Sequence, residues 1–502
     1  MISEDLKPVA DIRIERLNQR SPNPRGSYVL YWMIAARRTR ANFGLQHAIW
    51  HARHNGLPLI ILEPLRIGYE WAADRHHRFI IEGMADQRAR LDDTPIAYHA
   101  YVERVAGDGS GLLAAFAADA AVIVTDSYPA FFLPRMLKAA AARMPVLCEA
   151  VDSNGLLPLR SVDRTFTAAV HFRRHMQKNI LPWLQPEVLP MADPLEAARG
   201  LPPAVIPEVV RERWPEVTTD ELGDGLDALI ASLPIDHSVP AIEVAGGEAQ
   251  GRRLLDAFVG RKLKNYAELK NEPELDVVSG LSPYLHFGHI GVHTIFTAIT
   301  DAEGWHPSRV APKVTASRAG WWGMSPTAEA FIDQLVTWRE LGFNECLMNP
   351  DHYDKWTGLP EWARKTLDAH AGDERAYVYT YDELEGAQTH DDLWNAAQRQ
   401  LREEGVIHNY LRMLWGKKVI EWSPSPQIAF ERLLQLNNRW SVDGRDPNSY
   451  TGVAWIFGRF DRPWGPERPI FGSIRYMSSD NTAKKVKVKE YLRRWGPQKT
   501  LI

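Results

Sequence analysis

Residues 405–422 place His408, Asn409, Arg412, Met413, Trp415 and Trp422 on one short stretch. Together they supply amide and imidazole hydrogen bonding, a fixed cation, a polarisable thioether and two indoles, a mixture that core packing alone does not require. Ile407, Leu411, Leu414, Trp415, Val419 and Trp422 recur at intervals of three and four, so the stretch reads as an amphipathic helix. The run Ser-Pro-Ser-Pro at 423–426 stops it, because proline has no amide proton to continue the ladder. Trp415 and Trp422 stand two turns apart, roughly 10 Å along the axis and on nearly the same face. With Trp394, that spacing suits either electron hopping between indoles or plain packing.

Further stretches carry chemistry of their own. Phe331–Leu341 reads as a helix bearing Trp338, Arg339 and Glu340 in succession. A protonated Glu340 could donate to a base carbonyl and an ionised one could accept from a base N–H, whereas the plain alternative is a surface Arg-Glu pair. In Ser279-Gly-Leu-Ser-Pro-Tyr-Leu-His-Phe-Gly288, Ser282 reads as a helix cap with Pro283 at the first helical position, leaving amides suited to an anion. Tyr266 could add a phenol near the same group. Gly107-Asp-Gly-Ser-Gly111 lacks the Gly-x-Gly-x-x-Gly spacing directly after the first strand and reads as a turn.

The elements that must position these residues form two regions. A chain of 502 residues exceeds one ordinary domain. Residues 1–25 read as a flexible lead-in. Strands at 28–33, 57–62, 96–102, 121–125 and 145–151, with helices at 42–55, 111–118 and 131–143, have the rhythm of a parallel sheet covered on both faces. This predicts an α/β, Rossmann-like domain over 26–151. A proline-rich connector at 152–205 contains one helix, and helical periodicity dominates from 206 to 502, predicting an all-α second domain.

Two cysteines, Cys148 and Cys346, far apart and without a Cys-x-x-Cys or a histidine at ligand spacing, argue against disulfide scaffolds and zinc sites, so no metal is expected, and they fit a reducing compartment. No run of eighteen apolar residues is present and the charged start does not resemble a signal peptide, so a soluble, non-exported protein without membrane partners is expected. Net charge is −4, but residues 441–502 hold 12 Lys or Arg against 6 Asp or Glu, either a solvated tail or a basic face for a polyanion. The chain has 18 Trp, about three times ordinary usage.

Taken together, Ser279–Gly288, Trp-Arg-Glu-Leu at 338–341, His-Asn-Tyr-Leu-Arg-Met-Leu-Trp at 408–415, Asp443-Gly-Arg-Asp-Pro-Asn-Ser-Tyr450, Gly452-Val-Ala-Trp455 and Arg468–Met477 resemble class II cyclobutane pyrimidine dimer photolyases of the photolyase/cryptochrome family. Tyr31-Trp32-Met33 with Arg40 and Asn42 resembles that family's first strand and loop. The resemblance runs nearly the whole chain, in order. It implies the photolyase fold, with an α/β antenna-type domain and an all-α FAD-binding domain, and light-dependent repair in which reduced FAD donates an electron to a thymine dimer and regains it.

On the same resemblance, Tyr266, Ser279, Gly280, Leu281 and Ser282 would hold the FAD phosphates. Arg412 and Asp443 would form an ion pair beside the isoalloxazine, Gly444 and Arg445 would belong to the same flavin-binding loop, and Asn437 or Asn448 would contact N5. Glu340, Asn409, Met413 and Trp455 match positions lining the lesion pocket. Asp461 and Arg462 match the pair that fills the gap left in the duplex, with Arg445, Arg459, Arg468 and Arg475 toward phosphates. Trp394, Trp415 and Trp422 match the class II electron-transfer chain. The implied partner is duplex DNA containing a pyrimidine dimer, met by a monomer in the cytoplasm, nucleoid-associated in a bacterium or archaeon. Deazaflavin, folate or no antenna chromophore is compatible with the N-terminal domain. Asn409 departs from the glycine that several class II members carry, which alters a lesion contact without abolishing repair. A (6-4) photolyase is disfavoured because His408 is followed by Asn409 instead of a second histidine. A cryptochrome-like signalling flavoprotein is the alternative of a different class.

Overall fold

The computed structural model describes residues 6–497. The chain divides into two compact units, each assembled from separate segments: residues 1–163, 178–257 and 280–308 in the first, and 164–177, 258–279 and 309–502 in the second. The contiguous boundaries expected from sequence therefore differ from those that chain contacts draw. Chain proximity, unlike sequence, is indifferent to the order in which segments arrive.

The first unit is built on a six-stranded sheet of β1 (Ile14–Arg16), β2 (Tyr28–Trp32), β3 (Leu59–Leu65), β4 (Ala97–Val102), β5 (Ala120–Asp126) and β6 (Cys148–Val151), in the order β1-β6-β5-β2-β3-β4. All neighbours are parallel except β1, which pairs antiparallel with β6 at the edge. Alternate residues of the central strands enter opposite cores. Val29, Tyr31, Ile61, Val122 and Val124 pack with helix α1 (Phe43–Asn55). Leu30, Trp32, Ile60, Leu62 and Ile123 form the other face with residues of helices α3 (Leu112–Asp119) and α4 (Leu133–Ala141). Two-sided burial explains why these strands are apolar over most of their length, with Glu63, Thr125 and Asp126 only toward their ends.

Asn42 caps α1 by accepting from the Leu45 amide at 3.0 Å. Asp126, ending β5, accepts from the amides of Ile34, Ala35 and Ala36 at 2.8, 2.8 and 3.0 Å, fixing the loop that leaves β2. Within the expected flexible lead-in, residues 11–16 form a helical turn and the edge strand β1. Arg13 anchors this segment from a buried position, donating to the carbonyls of Asp152, Gly155 and Leu156. Helix α2 (Asp74–Leu91) was not anticipated, because it buries Arg75, His76 and His77 alongside its apolar residues and so hides its periodicity.

The second unit is helical, and among the described residues no strand follows β6. The helices that matter for the site are α5 (Arg339–Met348), α6 (Asp392–Glu404), α7 (Asn409–Trp422), α8 (Pro426–Trp440) and α9 (Pro447–Ile456). A helix at Pro326–Ile332 and a π-helical segment at Asp333–Trp338 lead directly into α5. α7 begins at Asn409, not at Gly405 as the periodicity predicted: Gly405 takes φ 70° and caps α6, a left-handed position that favours glycine. Packing pairs α6 with α7, α7 with α8 and α9, and α5 with α9. Among the described residues no helix is long and apolar enough to cross a membrane.

Candidate active site

α7 separates its side chains by direction. Trp415 and Trp422 turn inward and are among the largest fully buried residues of the chain, together with Trp394 from α6. Asn409 is exposed and Met413 half-buried, one helical turn apart on the same face. Arg412 points to the α8–α9 connection, donating to Asn437 Oδ1 at 2.8 Å and standing 3.8 Å from Asp443 Oδ1.

That connection is a polar hub. Asp443 accepts from the Ser441 hydroxyl at 2.5 Å. Asn437 Nδ2 donates to Ser449 Oγ at 2.6 Å, and Ser449 donates to Asn438 Oδ1 at 2.5 Å. Asn438 Oδ1 also receives the Arg445 amide at 2.8 Å, which holds Arg445 at φ 68°. Gly444 is required by proximity: a Cβ there would lie 2.8 Å from the Asn438 Cα. Asn448 instead serves the start of α9, its amide group donating to the helix-capping Asp446 at 3.0 Å. Of the two asparagines left open by the sequence, Asn437 is therefore the one against Arg412. The neighbouring Asn438 and the bridging Ser449 were missed, although the Asn-Asn doublet on a predicted helix was a usable signal.

The three tryptophans are in contact, in an order that sequence spacing does not give. Trp394 sits between the other two, 6.4 Å from Trp415 with the rings 7° from parallel and 5.5 Å from Trp422 edge-on. Trp394 Nε1 donates to the Trp415 carbonyl and Trp415 Nε1 to Gln398 Oε1, both at 2.9 Å. Beyond Trp422, Tyr379 and His390 lie 5.5 and 5.3 Å from its ring. Tyr377 stacks on His390 at 3.7 Å and is 48% exposed, so an unbroken aromatic series reaches the surface.

Glu340 is only 3% exposed, which removes the surface-pair alternative; its neighbour Arg339 lies over Phe343 at 4.3 Å. Trp455 on α9 meets Trp338 edge-on at 6.1 Å. Asp461 and Arg462 follow α9 on an open loop. Asp461 Oδ1 accepts from Trp464 Nε1 at 3.2 Å, and Arg462 and Arg475 lie over the Trp464 ring at 5.2 and 5.1 Å. Two arginines expected at phosphates are engaged inside instead: Arg445 is buried, and Arg459 pairs with Glu345 and donates to the Gly358 carbonyl. Arg468 and Arg475 are exposed.

Behind this region, α7 buries Lys417, whose ammonium donates to the Ile456 carbonyl. Burial pushes its pKa down to about 7, against the pull of Asp461.

Of the expected phosphate-binding residues, Tyr266 is buried against Phe258 and Phe331, and burial pushes its phenol up to about 12. Ser279 ends a segment of the second unit, whereas Gly280, Leu281 and Ser282 open a segment of the first. Ser282 is not the helix cap: Leu281 holds that position, and Ser282 and Pro283 begin the turn Ser282–His286.

The donor set of the hub fits a planar heterocycle with an edge of nitrogens and carbonyls. Arg412 offers a fork of N–H donors, Asp443 a carboxylate, and Asn437 an amide. Asn438 Nδ2 is buried with no protein partner, an arrangement that a bound polar group would relieve.

No protein-family model matches the chain. It resembles the solved structure of a bacterial class III photolyase from Agrobacterium tumefaciens, with a TM-score of 0.66 and 17% identity over 94% of this chain and 86% of that one. The fold is thus that of a photolyase, an α/β region followed by a helical one. Deoxyribodipyrimidine photo-lyases are similar in sequence along nearly the full length. That of Methanothermobacter thermautotrophicus is 34% identical over 96% of this chain and 97% of its own. Those of Potorous tridactylus and Arabidopsis thaliana are 31% and 30% identical over 93% and 92% of this chain and 81% and 88% of theirs. The chain belongs to the photolyase/cryptochrome family, among its deoxyribodipyrimidine photo-lyases, which are lyases of DNA repair.

Proposed function

We propose that the protein acts as a class II enzyme, a monomer that repairs cyclobutane pyrimidine dimers in duplex DNA by light-driven electron transfer from reduced FAD. Bound FAD supplies the electron that opens the cyclobutane ring and takes it back; the protein supplies position and electrostatics. The observation that carries this reading is the division of α7 into a cationic edge at Arg412, an open edge at Asn409 and Met413, and an indole series behind.

Arg412, steadied by Asn437 and Asp443, favours negative charge on the isoalloxazine edge. Tyr266 and Ser279, both of the second unit, hold the phosphates. Asn409, Met413, Trp455 and the buried acid Glu340 hold the extruded dimer, whose stiffness and poor stacking lower the cost of flipping. Asp461 and Arg462 enter the gap in the duplex. Trp415, Trp394 and Trp422 conduct electrons inward from the surface when the resting enzyme must be reduced.

Illumination of the chemically reduced protein with a dimer-containing oligonucleotide tests the reading. Recovery of thymine absorbance in light and none in darkness is expected; absence of light-dependent recovery refutes repair and leaves a signalling flavoprotein. Extraction and chromatography of the chromophores identifies FAD and shows whether deazaflavin or folate accompanies it.

A further inference from the structure

Away from the helical unit, His47 and His51 stand one turn apart on α1, facing Glu149 on β6. Both imidazoles aim Nε2 at the same carboxylate oxygen, Glu149 Oε2, at 2.8 and 2.9 Å. Their rings are 4.6 Å apart and 73° from parallel, and the three ligand atoms lie within 4.8 Å of one another. Side-chain exposures of 8, 11 and 11% make the cluster nearly dry, yet reachable from solvent. Nothing in the repair reading uses these residues.

We propose that His47, His51 and Glu149 form a binding site for one divalent transition cation of the zinc type. Two imidazoles one helical turn apart plus a carboxylate from a second element is a donor set suited to zinc, whereas calcium and magnesium prefer all-oxygen shells. Zinc–nitrogen and zinc–oxygen bonds of about 2.0–2.1 Å put tetrahedral donor atoms roughly 3.4 Å apart, so each Nε2 draws back from Glu149 Oε2 while the three atoms stay within their present 4.8 Å. The cation then occupies the position of the two N–H protons now shared with Glu149. Each ring binds as the neutral imidazole through the Nε2 lone pair, with its single proton on Nδ1; a ring that begins protonated releases one proton to solvent. Glu149 binds as the carboxylate, and water from the open side completes a tetrahedron. Because Glu149 is also paired to Arg16 of β1 in the sheet, the metal fastens α1 to the sheet beside its antiparallel edge.

The full-length protein, freed of metal with a chelator, is titrated with zinc chloride by calorimetry and with cobalt(II) chloride by visible spectroscopy. One tight equivalent of zinc, intense tetrahedral cobalt bands and a rise in melting temperature with zinc are expected. His51→Ala and Glu149→Gln should weaken zinc binding roughly 100-fold or more, while His54→Ala, exposed on the same helix, should leave it unchanged. Equal zinc affinity in wild type and His51→Ala overturns the proposal. If that variant does not fold, the wild-type cobalt spectrum decides: tetrahedral bands uphold the site, and weak octahedral bands alone overturn it.

Discussion

Arg412 concentrates the site's electrostatics in one side chain. Its donor bond to Asn437 is short, whereas its approach to Asp443 is long at 3.8 Å, so the guanidinium keeps N–H donors for a ligand. Hydrogen bonds to a charged group contribute roughly 1.5–3 kcal/mol. Arg412→Ala should therefore slow repair by the reduced protein roughly 10- to 100-fold, measured as thymine recovery per absorbed photon. Arg412→Lys should not restore it, because lysine lacks the planar fork.

Lys417 gives a second prediction at this scale. In the unfolded chain a lysine keeps its proton to about pH 10.4, but the buried one releases it near 7. Between those values the unfolded state binds more protons, so stability rises with pH across the window and falls as pH drops toward 7. The slope approaches about 1.4 kcal/mol per pH unit. Urea unfolding of wild type at pH 7, 8 and 9 should show this rise, and Lys417→Met should flatten it.

Among the elements of the site, the turn between α8 and α9 has little freedom, because Gly444 packs on the Asn438 backbone. Backbone cannot yield as a side-chain end can, so Gly444→Ala should cost about 1–3 kcal/mol by urea denaturation, and should loosen the Asn438–Arg445 bond. At this scale the sequence was most legible where burial is two-sided: β2 and the first parts of β3 and β5, residues 59–62 and 120–124, are apolar runs and were placed within a few residues. α2 was illegible because its buried face carries Arg75, His76 and His77, which read as solvent residues until their partners are known. β1 is three residues long, too short for an alternation to register. In the site, helical periodicity put Trp415 and Trp422 on one face of α7, whereas the roles of Asn409, Arg412 and Met413 were legible only through the family resemblance. The insertion of Trp394 between Trp415 and Trp422, and the placing of Asn437 against Arg412, depend on how α6, α7 and α8 pack, which no local spacing encodes.

For the whole molecule, charge is unevenly placed: the net value is −4, while residues 441–502 carry an excess of six positive charges. Binding to dimer-containing DNA should weaken as salt rises, with a log–log slope of about −0.9 for each phosphate neutralised. Arg475→Ala should reduce that slope by about one, measured by fluorescence anisotropy at several salt concentrations; an unchanged slope would remove Arg475 from the DNA face. The near-parallel Trp394–Trp415 pair also has a chiroptical consequence. Two identical chromophores held 6.4 Å apart in a fixed chiral setting couple their transitions and give paired bands of opposite sign in ultraviolet circular dichroism, isolated as the difference between wild type and Trp394→Phe. Since both indoles belong to the second unit, this couplet fades on heating when that unit alone melts, and its midpoint beside that of the backbone signal reveals whether the two units unfold together.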